Sequence, residues 1–324
     1  MTWLLWQQQR RLVMAIGTGL AITAAFLVVS GLHLASTYHD ALRSCATSLG
    51  GCADLSSTVF LGYNRLFDMV DAVGFSLPFI LGLFWGAPLV AKEVEEGTHR
   101  LAWSQSITRR HWMVAKLGWA VLAAALLTGA FSAIVTWWYG PVNAVQQNRL
   151  GSAVFDTQSL VPVGYAVFGV ALGTLLGVLL RRVLPAMAAT LASLGLVRYT
   201  FDTYVRPHLL PAKTVLVRIT TAFSNYPAGP GNWLLGNPKY LNAAGKVLPG
   251  HNITPNQLPE ACRQVWYSDV RLGRCLGDHG FHALLSYQPA GRYWPLQGIE
   301  VAIYVAAALA CAAFASWWVI RRDV

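Results

Sequence analysis

The sequence predicts an all-α integral membrane protein with six transmembrane helices, both termini cytoplasmic, and an irregular folded extracellular segment between helices five and six. Composition is the first ground for this. Of 324 residues, 55% are apolar and only 12% are charged, about half the charged share of an ordinary soluble domain, and mean hydropathy is +0.45. Six charge-poor stretches, near the roughly 20 residues a helix needs to cross the hydrocarbon, are the second ground. A lopsided placement of lysine and arginine is the third. Disordered chains have the opposite composition. Collagen-like and disulfide-dense secreted classes fail because Gly is 29 and Cys only five of 324.

The opening segment, 1–11, sets Trp3, Leu4 and Trp6 against Gln7, Gln8, Arg10 and Arg11. That pattern fits an amphipathic helix lying in the inner headgroup layer, and fits equally an aromatic anchor on the first span. Its charges follow two tryptophans and no small-residue cleavage site is present, so it does not read as a signal peptide. The charge-poor windows are 12–39, 72–91, 117–148, 157–180, 183–197 running on past Arg198, and 301–320. Trp137, Trp138 and Tyr139 form an outer shoulder on the third, and Trp317 with Trp318 stands near the end of the sixth. Domain boundaries follow: 1–11 interfacial, 12–206 spans one to five with a cytoplasmic loop at 92–111, 207–295 extracellular, and 296–324 span six with the tail.

Orientation follows from the basic residues of the short loops. With the N-terminus inside, Arg10, Arg11, Lys92, Arg100, Arg109, Arg110, Lys116, Arg181, Arg182, Arg321 and Arg322 are cytoplasmic, and the two short outer loops hold only Arg43, Arg65 and Arg149. The net charge of +10 is therefore membrane topology. No basic stripe or reading motif accompanies it, so nucleic acid is not a partner; membrane lipids are.

Cysteines check the topology independently. Cys45 and Cys52 fall in the first outer loop, Cys262 and Cys275 in the long outer segment, and Cys311 in the last span. An even number outside and none in the cytoplasmic loops suits an oxidising outer face. Disulfides Cys45–Cys52 and Cys262–Cys275 are expected. A rival for the second pair is a zinc set of Cys262, Cys275, His279 and His282, although its spacing lacks the usual close Cys pair, and unpaired thiols are the third reading. The expectation is no metal. The outer segment holds ten of the fifteen prolines and enough aromatic residues, Trp233, Tyr240, Trp266 and Phe281 among them, for a small core of its own. A loop of this length is functional or disordered, and the aromatic content favours a folded cap.

Catalytic motifs are missing. There is no H-E-x-x-H helix and no G-x-S-x-G turn. The only Gly-Lys pair is Gly245-Lys246, and Tyr240 stands where a phosphate loop needs its first glycine. The chain carries no catalytic residues and no cofactor, and cannot hydrolyse ATP alone. An embedded enzyme would need catalytic side chains clustered at one depth, for which His279 and His282 are the best candidates. Intramembrane charge is sparse: Asp71 opens span two, and Arg198 and Asp202, four apart on one helix face, form an expected ion pair near the outer end of span five. Gly169, Gly173 and Gly177 line one face of span four at the spacing that lets helix backbones approach; packing inside the subunit is the first reading and a subunit interface the next. Phe75, Phe79 and Phe84 on span two are possible cavity lining.

The most informative segment is the cytoplasmic loop. Glu95 and Glu96 leave span two, Gly97 breaks the helix, Thr98 can cap a short helix carrying Arg100, Leu101 and Trp103, and Thr108 can cap span three ahead of Arg109. Apolar residues on a short cytoplasmic helix point to docking on a soluble partner. The order Glu96-Gly97-Thr98, a short apolar helix, then Ser106-Ile107-Thr108-Arg109 resembles the first cytoplasmic, or coupling, loop of the membrane subunit of type-2 ATP-binding-cassette (ABC) exporters. Met1-Thr2-Trp3-Leu4 and the 98–103 run resemble high-GC Gram-positive members in particular. The likeness extends to the whole layout, except that the family's outer linker between spans five and six is usually short.

The resemblance implies a permease in the cell membrane of a bacterium that pairs with a second copy or a related permease. Through 92–111 each permease would dock on a separately encoded ATPase, which binds ATP and Mg. Glu95, Glu96, Gly97, Thr98, Arg100, Leu101, Trp103, Thr108 and Arg109 are then the coupling residues, and apolar or amphipathic cargo (a drug, antibiotic, lipid or lipopeptide) is exported. A membrane sensor or immunity protein of the same architecture, with the outer segment as receptor for an antimicrobial peptide, is the alternative.

Overall fold

A computed structural model describes residues 2–47, 63–97, 108–146, 148–220, 231–250 and 252–321. Its helices are α1 (Thr2–Thr47), α2 (Asn64–Leu81), α3 (Pro88–Glu95), α4 (Arg109–Trp138), α5 (Gly140–Gln146), α6 (Ser152–Thr157), α7 (Val161–Leu180), α8 (Val183–Thr200), α9 (Glu260–Arg263), α10 (Asp269–Asp278) and α11 (Tyr293–Arg321). The strands are β1 (Lys213–Arg218), β2 (Trp233–Leu234), β3 (Lys239–Leu241) and β4 (His282–Gln288). Among the described residues six helical stretches are long and apolar enough to cross a membrane: Val13–Ser44, Asn64–Glu95, Arg109–Trp138, Val161–Leu180, Val183–His208 and Ala290–Arg321. The chain is a multi-pass membrane protein.

Helix boundaries differ from the charge-poor windows because hydrogen-bonded acidic residues lie inside the helices. α1 runs from Thr2 to Thr47 without a break, so 2–11 continue into the first span as one helix. Asp71 does not open span two; it sits two turns inside α2, where the Tyr139 hydroxyl donates to it at 2.8 Å. Glu300 lies within α11 and is fully buried.

Contacts divide the chain into a unit of residues 1–146, 152–203 and 294–324 and a second unit of 147–151 and 204–293. In the first, α7 is the enclosed helix, with Gly169, Gly173 and Gly177 among its buried residues. These glycines pack within the chain against span two. A Cβ on Gly173 would lie 2.5 Å from the Gly82 carbonyl oxygen, and one on Gly177 2.4 Å from that of Ala87. Backbones in contact are the packing that small residues permit in a bilayer. At the same seam span two widens into a π turn, Gly82–Gly86, between α2 and α3, a local expansion that relieves the crowding.

The second unit is not irregular throughout. β4 is the hub of an antiparallel sheet: β1 pairs along one edge with Lys213 opposite Tyr287, while β2 and β3 share the other, with Trp233 opposite Gln288 and Lys239 opposite Leu284. Ala283 and Leu285 of β4 face a core with Ile219, Tyr240, Leu272, Leu276 and Phe281. α10 approaches so closely that a Cβ on Gly277 would lie 2.4 Å from the Ile219 carbonyl oxygen.

Candidate functional site

The ends of the connection between spans two and three are built by local rules. α3 stops where Gly97 adopts φ +68° and donates its N–H to the Val94 carbonyl at 3.2 Å, a left-handed residue that glycine occupies at little cost. α4 starts at Thr108, extended at φ −66° and ψ 140°, whose Oγ1 accepts the His111 N–H at 3.3 Å. Thr98, Arg100, Leu101 and Trp103 lie outside the described residues.

Two acidic side chains tie the root of this connection to neighbouring spans. The Glu93 carboxylate accepts from the Lys116 ammonium of α4, which also lies 4.7 Å from the Trp112 ring centroid. Lys116 is only 4% exposed and Glu93 18%, so the pair is shielded and depends on mutual neutralisation. Glu95 Oε2 accepts the backbone N–H of Val183 at 2.9 Å, satisfying an orphan donor in the first turn of α8. This bond ties Glu95 to span five. Just before, Arg181 closes α7 in the left-handed region at φ 57°, its N–H bonded to the Gly177 carbonyl at 3.0 Å. Spans two, three and five are thus tied together at the end where α7 terminates. Glu96 and Gly97 are exposed beyond it, and Arg109 is half-buried.

A second polar cluster lies inside the membrane unit. Arg198 pairs with Asp156 of α6 at 2.8 Å and not with Asp202. The helical spacing would align Asp202 with Arg198, but Arg198 turns into the bundle, and the helix widens into a π turn at Phe201–Val205, which changes the spacing between successive turns. The guanidinium is sandwiched 3.9 Å from the Tyr165 ring centroid and 4.5 Å from that of Phe75. The Tyr165 hydroxyl is hydrogen-bonded to both Asp156 and Glu300. One turn before Glu300, Gln297 Oε1 accepts the first N–H groups of α7, Leu160 at 3.1 Å and Val161 at 2.9 Å, while its Nε2 donates to the Phe155 carbonyl at 3.1 Å. Sequence reasoning missed Asp156, Tyr165, Glu300 and Gln297 because their partners are remote. The one local signal was Gln297 and Glu300 beside an otherwise apolar run.

Other candidate residues fall elsewhere. Phe75 and Phe84 are about half exposed, and neither they nor Phe79 line the groove of about 460 Å³ in this unit, which α4, α7 and α11 enclose. Cys262 and Cys275 are joined as a disulfide. His279 Nδ1 lies 3.8 Å from each sulfur, while His282 Nδ1 is bonded to the Gly280 carbonyl. With both sulfurs in one bond, the four zinc ligands are not assembled. Cys52 lies outside the described residues, as does the side chain of Cys45.

Residues 17–206 match the family model described as ABC-2 membrane transporter related. No curated protein and no solved structure matches the chain. The match covers more than half of the sequence and takes in the first five spans: the chain belongs to the ABC-2 membrane transporter related family and is a permease of ABC transport, a membrane component and not itself a catalytic enzyme.

Proposed function

We propose that this permease is the membrane half of an ATP-driven exporter. In this reading two permeases, identical or related, pair in a bacterial plasma membrane, and each docks through 92–111 on a separately encoded ATPase that binds ATP and Mg. Leu101 and Trp103 seat in an apolar groove of the ATPase, with Glu95, Glu96, Arg100 and Arg109 giving charge pairing around them and Gly97, Thr98 and Thr108 setting the ends of the coupling helix. The cargo is apolar or amphipathic.

The observation that carries this reading is the brace at the root of the loop. A lever must transmit displacement, and Glu93–Lys116 with Glu95–Val183 joins the end of span two to spans three and five. Movement of the ATPase would then shift several spans together, as alternation between inward and outward openings requires. The test is affinity purification of tagged chain from gently solubilised native membranes, with ATP hydrolysis assayed on what co-purifies. Recovery of a phosphate-loop ATPase that is lost in Trp103→Ala or Arg109→Ala supports the assignment. A chain that purifies alone, with no ATPase activity, overturns it.

The receptor reading has one observation of its own, the separately cored and disulfide-linked unit of 204–293. Transport by vesicles carrying the purified complex separates the two, since a sensor moves no cargo.

A further inference from the structure

The groove of about 460 Å³ has the dimensions of one leaflet. It runs along α4 from Val114 to Val121 and along α11 from Val305 to Ser316, with Val167 and Ala171 of α7 as its floor. At 1.5 Å of rise per residue, Val305 to Ser316 spans about 16 Å, against a half-thickness of about 15 Å for the hydrocarbon core. Its walls are apolar and largely small, including Gly118, Ala308 and Ala312, and Ser316 is the only polar side chain in the lining.

A basic residue follows on the helix beyond the Val114 end of the groove. Arg110 lies four residues before Val114, so it stands on the same helical stripe as the α4 wall, one turn toward the braced end. It is exposed, and no ion pair or hydrogen bond of its side chain occurs among the described residues. Lys92, Arg182 and Arg321 are further exposed basic residues of the spans' ends on that side. An apolar slot of single-leaflet depth with Arg110 one turn beyond its end matches a phospholipid with a negative headgroup.

We propose that this groove is a binding site for an anionic phospholipid of the leaflet at the Arg110 end, with an acyl chain between α4, α7 and α11 and the headgroup phosphate on Arg110. The site belongs to the single chain and does not depend on the exporter reading. One basic contact near an anionic membrane contributes about a fivefold preference, and that is the selectivity expected over a zwitterionic lipid.

The experiment reconstitutes the full chain in vesicles of equal phosphatidylglycerol and phosphatidylcholine, re-extracts it gently, and counts retained lipid by native mass spectrometry. Wild type should keep phosphatidylglycerol over phosphatidylcholine by about fivefold. Arg110→Gln should retain lipid without that preference, Arg110→Lys should restore it, and Ala312→Phe, which fills the slot, should lose the lipid. Arg182→Gln, at the same end but off the groove, should behave as wild type. Helicity and elution volume identify any variant that has misfolded, and Arg110→Lys against Arg110→Gln decides the matter even if Ala312→Phe does. Equal retention of the two lipids by wild type overturns the proposal, as does a preference unchanged by Arg110→Gln. So does a cross-link from Ala312→Cys to a second copy of the chain, which would make the groove a subunit contact.

Discussion

Replacing Glu93 by Gln strands the Lys116 ammonium, 4% exposed, without its carboxylate. Breaking one side of a shielded pair costs about 3 kcal/mol, so Glu93→Gln should lower the melting temperature in detergent, and adding Lys116→Met should recover most of the loss. If the single variant melts as wild type, the pair is not an anchor. Asp156→Asn tests the inner cluster in the same way, since Arg198 then loses its ion-pair partner. These residues also show where sequence reading stops. Arg198 invited pairing with Asp202 because residues four apart share a helix face, whereas its partner, Asp156, comes from another helix 42 positions earlier. Glu93 and Lys116 are 23 apart. Local spacing finds helix faces, but it does not say which remote face a charge will meet.

At the scale of single elements, the seam between α7 and span two is the sharpest constraint. A side chain at Gly173 would meet backbone atoms of Gly82, Gly86 and Ala87 at 3.0 Å or less, and backbone cannot rotate away. Gly173→Val should destabilise the bundle by at least the 1–3 kcal/mol typical of overpacking, about what a thermal melt resolves. Gly195→Ala, whose nearest neighbour would be a Phe79 ring atom at 3.9 Å, should be neutral. In the second unit Cys275→Ser opens a link of 13 residues and should cost about 3 kcal/mol. The readout is faster limited proteolysis within 204–293 with helicity of the spans unchanged. The glycine stripe was legible because its period matches the helix. The sheet was not: β4 is a seven-residue strand among proline-rich turns, and β1 pairs with it across the whole intervening segment. Pairing between distant short strands leaves no local period to read.

For the whole molecule, the six spans were legible because the bilayer imposes length and apolarity on any sequence that crosses it, while their ends were hidden by acidic residues that the fold hydrogen-bonds inside the helices. The proposed orientation predicts that protease added to intact cells cuts within 204–293 and spares 92–111, and that inverted vesicles give the reverse. Cutting at both sites from one side would refute the topology. Gln297 bears on how the chain is made. The amide that closes the first turn of α7 lies 137 residues downstream of Leu160. At synthesis rates of roughly 5–20 residues per second, the fourth span waits roughly 7 to 30 s, with donors uncapped beside the hydrocarbon, until the sixth is produced. A chain ended before Gln297 should therefore fold its first five spans with the start of α7 unsealed, and a truncation at 290 should be degraded faster than the full chain in a pulse-chase measurement.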